Sequence, residues 1–415
     1  MPHTSSGMGD NLRARRRVAG LSQEQLANEA GLSVSVVRKI EQGGTARVET
    51  LHAIARALGI PTSALFISGT PAPVIGDEGN RQGLVALRQA LMPPMGIDET
   101  LTDPGEAVPV ADLWRRLEDG RALYSADRYD SVAKMLPGLL RGAEAAVAAV
   151  EDEQEQREAE TLRTYALLFC GKYLTQVRQY DMAYHSLSEA IRTARATDDA
   201  ARAAIGVVGM CWLLLRQDRF DEAEHLAAVT ADKVEPRMSA ATKGQLAVWG
   251  ELLLRIAAAA SRNNRPDEAA EARRMAATAA SALGREYENL RKHWVRFGPV
   301  TAEMKAVEDL ALVGDSQGVL RRADEGILAG RAMQKVGRPS TVNWNRHRLD
   351  VAQAHARLGS TQDAMDELGR IRRTAGNWIQ HQPMARYIMT DILSTRKRTL
   401  TQEMRSMAAH LDVHA

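Results

Sequence analysis

Cys170 and Cys211, and His410 with His414 four residues on, are the side chains whose type and spacing could support redox or metal chemistry. A reactive thiol needs a cationic, half-open setting, and a metal site needs further ligands close by. The cysteines stand 11 and 10 residues before the aspartates of a repeated phrase, inside apolar helical stretches, and read as small core residues. The histidines have no third ligand near them in the sequence, so no metal and no cofactor is expected. GxxxxGK[ST], HExxH, GxSxG and paired CxxC motifs are absent, and an enzyme is not expected. The acidic run Glu151–Glu160 reads as a solvated helix surface.

The densest signal is LSQEQLANEAGLSVSVVRKIEQG, Leu21 to Gly43. Ser22 followed by Gln25 is a capping box that opens a helix, and Leu26 and Ala30 give that helix an apolar face. Gly31 supplies a tight turn. Ser33 then caps a second helix, whose buried positions are Val36, Val37 and Ile40. Leu12–Ala19 makes a helix upstream; Val48, Leu51, Ile54, Ala55 and Leu58 make another downstream, stopped by Gly59 and Pro61. Two short helices around a glycine turn form a helix-turn-helix inside a small all-α bundle. Residues 1–67 carry 8 Lys/Arg against 5 Asp/Glu, whereas the rest of the chain is net −1. Such an excess suits a DNA-binding head on a neutral body.

From Asn11 to Phe66 the segment resembles the phage-repressor/Cro (Xre) family of DNA-binding domains, down to the closing ALGIPTSALF. The resemblance implies roles by position. Ser33, Val34, Ser35, Arg38 and Lys39 should line the outward face of the recognition helix, and Gln23 should hold a phosphate or a base edge. Gln42, Thr45 and Arg47 should meet the backbone beside the groove, with Arg17 on the first helix as a further phosphate contact. Arg38 could read guanine bidentately and Val34 could meet a thymine methyl. Arg16 and Glu41 match a family pair that forms an internal salt bridge.

Residues 68–110 are rich in Pro and Gly and read as a linker with one short helix, Gln82 to Met92. From 111 to 415 helix follows helix, and a phrase recurs: RYDSV, QYDMA, RFDEA and RPDEA, then the weaker DSQGV and STQDA. Its third positions, Asp130, Asp181, Asp221, Asp267, Gln317 and Gln362, lie 51, 40, 46, 50 and 45 residues apart. Each phrase reads as a turn between two helices, with the acidic residue capping the second. The pattern resembles a lengthened, degenerate tetratricopeptide (TPR) repeat, and Pro383–Leu411 reads as a terminal helix closing the stack.

The expected fold is therefore all-α: an N-terminal helix-turn-helix bundle (1–67) followed by a TPR-like α-solenoid (111–415). A head of this kind on a repeat body is similar to peptide-responsive regulators and to actinobacterial regulators carrying an FGP phrase, here Phe297-Gly298-Pro299. In this chain Val300-Thr301 comes next, where Thr-Asn is usual in that group. The resemblance implies a sequence-specific transcriptional regulator that binds a double-stranded operator as a homodimer. Its repeats would sense a peptide, small molecule or protein partner in the concave groove; the alternative is an interaction scaffold with a non-regulatory head. Candidate ligand contacts are Tyr287, Arg291, Trp294 and Arg296, and Asn343, Trp344, Asn345 and Arg348. No apolar run reaches the roughly 18 residues a membrane span requires, and the N-terminus lacks an apolar signal core, so a cytoplasmic protein is expected.

Overall fold

Alanine- and leucine-rich runs separated by short polar turns make the chain almost wholly helical. The structure, a computed structural model, describes residues 8–44, 46–60, 65, 78–94, 108–197, 199–263, 265–288, 295–312, 314–395 and 399–413.

The head comprises α1 (Met8–Val18), α2 (Gln23–Glu29), α3 (Val34–Glu41) and α4 (Val48–Ala57). The capping box forms: the Gln25 N–H donates to Ser22 Oγ at 3.1 Å, and the Ser22 N–H to Gln25 Oε1 at 2.7 Å. Gly31 turns the chain at φ 65°, a left-handed value that costs a residue without Cβ little. Leu12, Leu26, Val37, Ile40, Leu51, Ile54 and Leu65 form a core of the head's own. Val36 is only partly buried, and Ser33 makes no side-chain cap to α3; its Oγ lies 2.9 Å from that of Ser35.

The stretch between head and body holds α5 (Glu78–Leu91), which starts earlier than the pattern from Gln82 suggests. Its Leu87 and Leu91 are buried in the body's core, and α5 packs on α7 (Tyr129–Ala149).

The body is a row of antiparallel hairpins. α6 (Val110–Ser125) pairs with α7, α8 (Glu153–Gln176) with α9 (Tyr180–Ala196), α10 (Ala200–Arg216) with α11 (Phe220–Val234), and α12 (Lys243–Arg262) with α13 (Pro266–Leu283). The first helices of successive hairpins touch one another and form an inner row. The first three turns within hairpins share one device. Asp127, Arg178 and Asp218 take left-handed φ values of 63°, 65° and 58°. The next N–H reaches back five residues in the helix-end manner: Arg128 to Leu123 O (2.9 Å), Gln179 to Leu174 O (2.8 Å) and Arg219 to Leu214 O (3.0 Å). This corrects the expected caps. The chain leaves one helix straight into the next, so Arg128, Gln179, Arg219 and Arg265 occupy the cap positions without a side-chain bond. Asp130, Asp181, Asp221 and Asp267 sit inside the first turn, where the helix dipole still favours them. Asp315 does cap its helix, accepting from the Gly318 N–H at 2.8 Å.

After α13 the regularity breaks. Two short strands, β1 (Tyr287–Glu288) and β2 (Arg296–Phe297), pair antiparallel. Then come α14 (Pro299–Leu312), α15 (Ser316–Arg322), α16 (Gly330–Val336), α17 (Thr341–Arg357), α18 (Thr361–Thr374), α19 (Gly376–Gln380), α20 (Pro383–Thr395) and α21 (Gln402–His410). The expected terminal helix is thus two, the second capped by Thr401 Oγ1 on the Met404 N–H at 3.2 Å. The FGP phrase is packed inside: Phe297 is fully buried, and a Cβ on Gly250 of α12 would come within 2.2 Å of its ring. Glu286 accepts from the N–H and Oγ1 of Thr301, both at 2.8 Å.

The last helices return to the first hairpin. Asp127, at the α6–α7 turn, accepts from the N–H groups of Asn377 (2.6 Å) and Trp378 (2.7 Å), and its carbonyl accepts from Asn377 Nδ2 at 2.8 Å. Trp378 is buried, and Tyr129 lies against His381 with ring centroids 5.9 Å apart. The row of hairpins therefore closes on itself.

Candidate nucleic-acid interface

Val37 and Ile40 pin α3 to the head's core, which turns the opposite face outward. Ser33, Ser35, Arg38 and Lys39 are all exposed on that face, whereas Val34 is partly buried against the core. Gln42, Arg47 and Arg17 are exposed as well. Thr45 lies outside the described residues. Arg38 is tied only loosely to its surroundings: its Nη2 stands 3.9 Å from Glu24 Oε1, and both side chains are more than half exposed.

Behind this face, Glu41 ties α3 to α1. Arg16 clasps its carboxylate with Nε (2.6 Å) and Nη2 (3.1 Å), while Arg16 Nη1 reaches the Leu21 carbonyl at 2.8 Å. Gln23 Nε2 donates to the same carboxylate at 2.7 Å, so this amide is engaged inside the head. Burial alone would raise the Glu41 carboxyl, but the bonds from Arg16 and Gln23 outweigh it and hold the group below its ordinary value. The bidentate pair fixes the angle of the outward helix.

The body meets the head through α4, leaving α3 uncovered. Arg56 Nη1 donates to Asn263 Oδ1 at 2.7 Å, just past α12, and the His52 ring stands edge-on to Phe220 at 5.1 Å. Burial pushes the His52 imidazole down to about 3, helped by the positive Arg262 and Arg56 nearby, so it is neutral in the contact.

The ligand candidates are divided by the structure. Asn343 lines a cavity of ≈ 820 Å³ inside the ring, with Arg296. Trp344, Asn345 and Arg348 line a second one of ≈ 890 Å³. Arg348 is already committed there: Nε donates to Glu367 Oε2 at 2.9 Å, Nη2 to Oε1, and Nη1 to Asp324 Oδ1 at 2.8 Å. It braces α17 against α18. Tyr287 packs against the body's core, and Arg291 and Trp294 lie outside the described residues. Sequence reasoning missed Arg121, Lys172, Arg216, Arg255 and Arg346 on the cavity wall. Their shared signal is a basic residue on the inner helix of a hairpin, which is weak in a chain this rich in arginine.

Cys170 and Cys211 are buried, and burial pushes both thiols up to about 12, as suits packing rather than reactivity. His410 bonds the Gly376 carbonyl at 3.0 Å, and His414 lies outside the described residues. Among the described residues no group of three or more metal-ligating side chains converges, and no helix is long and apolar enough to cross a membrane.

Residues 12–65 match the helix-turn-helix family, a match confined to the head. No curated protein and no solved structure matches the chain. The head is a helix-turn-helix DNA-binding domain of the Xre type, and it is joined to an all-α body.

Proposed function

We propose that the chain is a sequence-specific transcriptional regulator, that α3 enters the major groove of an operator, and that the ring-shaped body senses an effector. One observation carries the reading: the body docks on α4 and leaves the outward side chains of α3 open to a duplex. Ser33, Ser35 and Arg38 would face base edges, with Val34 offering only the part of its side chain that the core leaves uncovered, while Lys39, Gln42, Thr45, Arg47 and Arg17 would meet phosphates on either side. Gln23, engaged by Glu41, would act chiefly by bracing the helix.

A single head makes few contacts, so a homodimer reading two half-sites about 34 Å apart is the economical arrangement. The body is TPR-like in its hairpins and would supply the dimer contact. Coupling between sensing and binding has a short route. Arg262 lines the inner cavity, and its neighbour Asn263 holds Arg56 of the head. An effector that shifts the end of α12 would therefore re-aim α3. It is allosteric only insofar as it distinguishes the two poses.

The test is a binding assay of the full chain on its own upstream region against scrambled duplex of equal length. Preference for the genuine sequence, lost on replacing Arg38 and Lys39 together by alanine, is expected. Equal binding to both duplexes overturns the proposal.

A further inference from the structure

The cavity enclosed by the ring is lined by residues of α6, α8, α10, α12, the small hairpin, α14 and α17. Eight of them are lysine or arginine and four are glutamate. The glutamates are spoken for. Glu251 pairs with Arg255 at 2.9 Å, Glu288 pairs with Arg296, and Glu308 pairs with Arg262 (2.7 Å) and Lys305 (2.5 Å). Glu118 acts on Arg121 one turn along α6. Lys172, Arg216 and Arg346 make no ion pair among the described residues.

Arg216 is the sharpest case. Its Nε and Nη2 are both buried and have no hydrogen-bond partner among the described residues, and its guanidinium lies over the Trp212 ring at 5.5 Å. These two nitrogens form one edge of the guanidinium, the edge that Arg16 and Arg348 each present to a carboxylate elsewhere in this chain. Both atoms are buried as the side chain stands, so this edge meets an anion only when the side chain turns off the ring, exchanging one face contact for two charge-assisted bonds. Lys172 offers its Nζ from α8, 5.2 Å from the centre of the Tyr124 ring. It is reached by water through the cavity yet walled in by the body, which pushes its ammonium down to about 8, with Arg121 and Arg296 adding repulsion. Burial and then Arg346 push Arg216 down to about 10. Unpaired cations crowded into a partly dry wall are costly, and an arriving anion relieves both the desolvation and the crowding. Much of the remaining wall is apolar, with Leu168, Ile205, Val208 and Trp212 prominent, and Ser125, Ser340, Thr341 and Asn343 add neutral polar groups.

We infer that this cavity binds a small amphipathic oxyanion, a carboxylate or phosphate ester on an apolar body, held by the free edge of Arg216 and by Lys172. A volume of ≈ 820 Å³ suits one drug-sized molecule. The parallel N–H pair selects a group with two coplanar oxygens, and the leucine, valine and tryptophan surfaces take the remainder. The biological role of such a ligand rests on the effector-sensing reading; its binding does not.

The experiment is calorimetric titration of the full chain with three probes of one chain length: octanoate, octyl phosphate and octanol. At least one anion is expected to bind ten-fold or more tightly than octanol, and whichever anion leads identifies the head group. The double variant Lys172→Met/Arg216→Met should lose at least ten-fold toward the anions, keep octanol within two-fold, and melt no lower than the parent. Lys172→Gln, a change at a water-accessible side chain, should lose at least three-fold and serves where the double variant does not fold. Equal binding of all three probes, no binding of any, or undiminished anion preference in the variants overturns the inference. The operator assay is run without probe. Its failure would remove the regulator and leave this anion preference standing, while loss of the preference would leave operator binding intact.

Discussion

Arg38 and Lys39 are neighbours with different expected tasks, and their replacements should separate. Arg38→Ala is expected to weaken operator binding by about 1–3 kcal/mol and to relax the preference at one base pair, the mark of a bidentate base contact. Lys39→Ala should weaken all duplexes alike and lower the dependence of log affinity on log salt by about one. Both side chains are exposed, so neither change should move the melting temperature. Competition binding across single-base variants, repeated at several salt concentrations, distinguishes the two. Arg16→Met behaves oppositely: it leaves the Glu41 carboxylate buried with weaker partners and should cost the head about 3 kcal/mol. Glu41 titrates below its ordinary 4.5 in the folded head, so its contribution is present above that pH and is lost as the pH falls past it. Hydrogen exchange of α1 and α3 amides reads both effects.

Two contacts between elements carry their own pH signatures, with opposite signs. His52 is held neutral between α4 and Phe220, its folded value pushed far below the ordinary 6.5. The head–body contact is therefore intact above about 6.5 and weakens as the pH falls toward about 3, when an imidazolium would have to be buried beside Arg56 and Arg262. Energy transfer between dyes on α1 and α11 should report the separation; Arg56→Ala removes the Asn263 bond and one repulsion on the imidazolium together, and should weaken the contact at neutral pH while making it less dependent on pH. Asp127 goes the other way. Burial raises its carboxyl to about 6 despite the bonds from Asn377 and Trp378, so ring closure is favoured at low pH and loosens as the pH rises through about 6. Asp127→Asn retains an acceptor and a residue tolerant of left-handed backbone, and should remove that pH dependence. Asp127→Ala loses both N–H partners and strains the turn, at an expected cost of about 1–3 kcal/mol in thermal or urea unfolding.

At the scale of the whole molecule, the features legible in the sequence are the local ones. The capping box, the glycine turn and the apolar spacing of Leu26, Val37 and Ile40 lie within a few turns of one another, so the head could be read almost residue by residue. The hairpins announced themselves through a repeated phrase, although the left-handed residue before it, not its aspartate, makes the turn. The closure was hidden, because Asp127 and Trp378 are 251 positions apart and nothing in either neighbourhood names the other. The cavity was hidden for a related reason: its unpaired cations come from α8, α10 and α17, and each looks like a surface arginine or lysine until the row bends. That bend also changes how the protein should come apart. An open row of repeats frays from its tips, unit by unit. A hoop has no tips, so releasing the Asn377–Trp378 clasp should slacken every stave together, and damage at the C-terminal end should be felt first in the α6–α7 pair, the opposite end of the row.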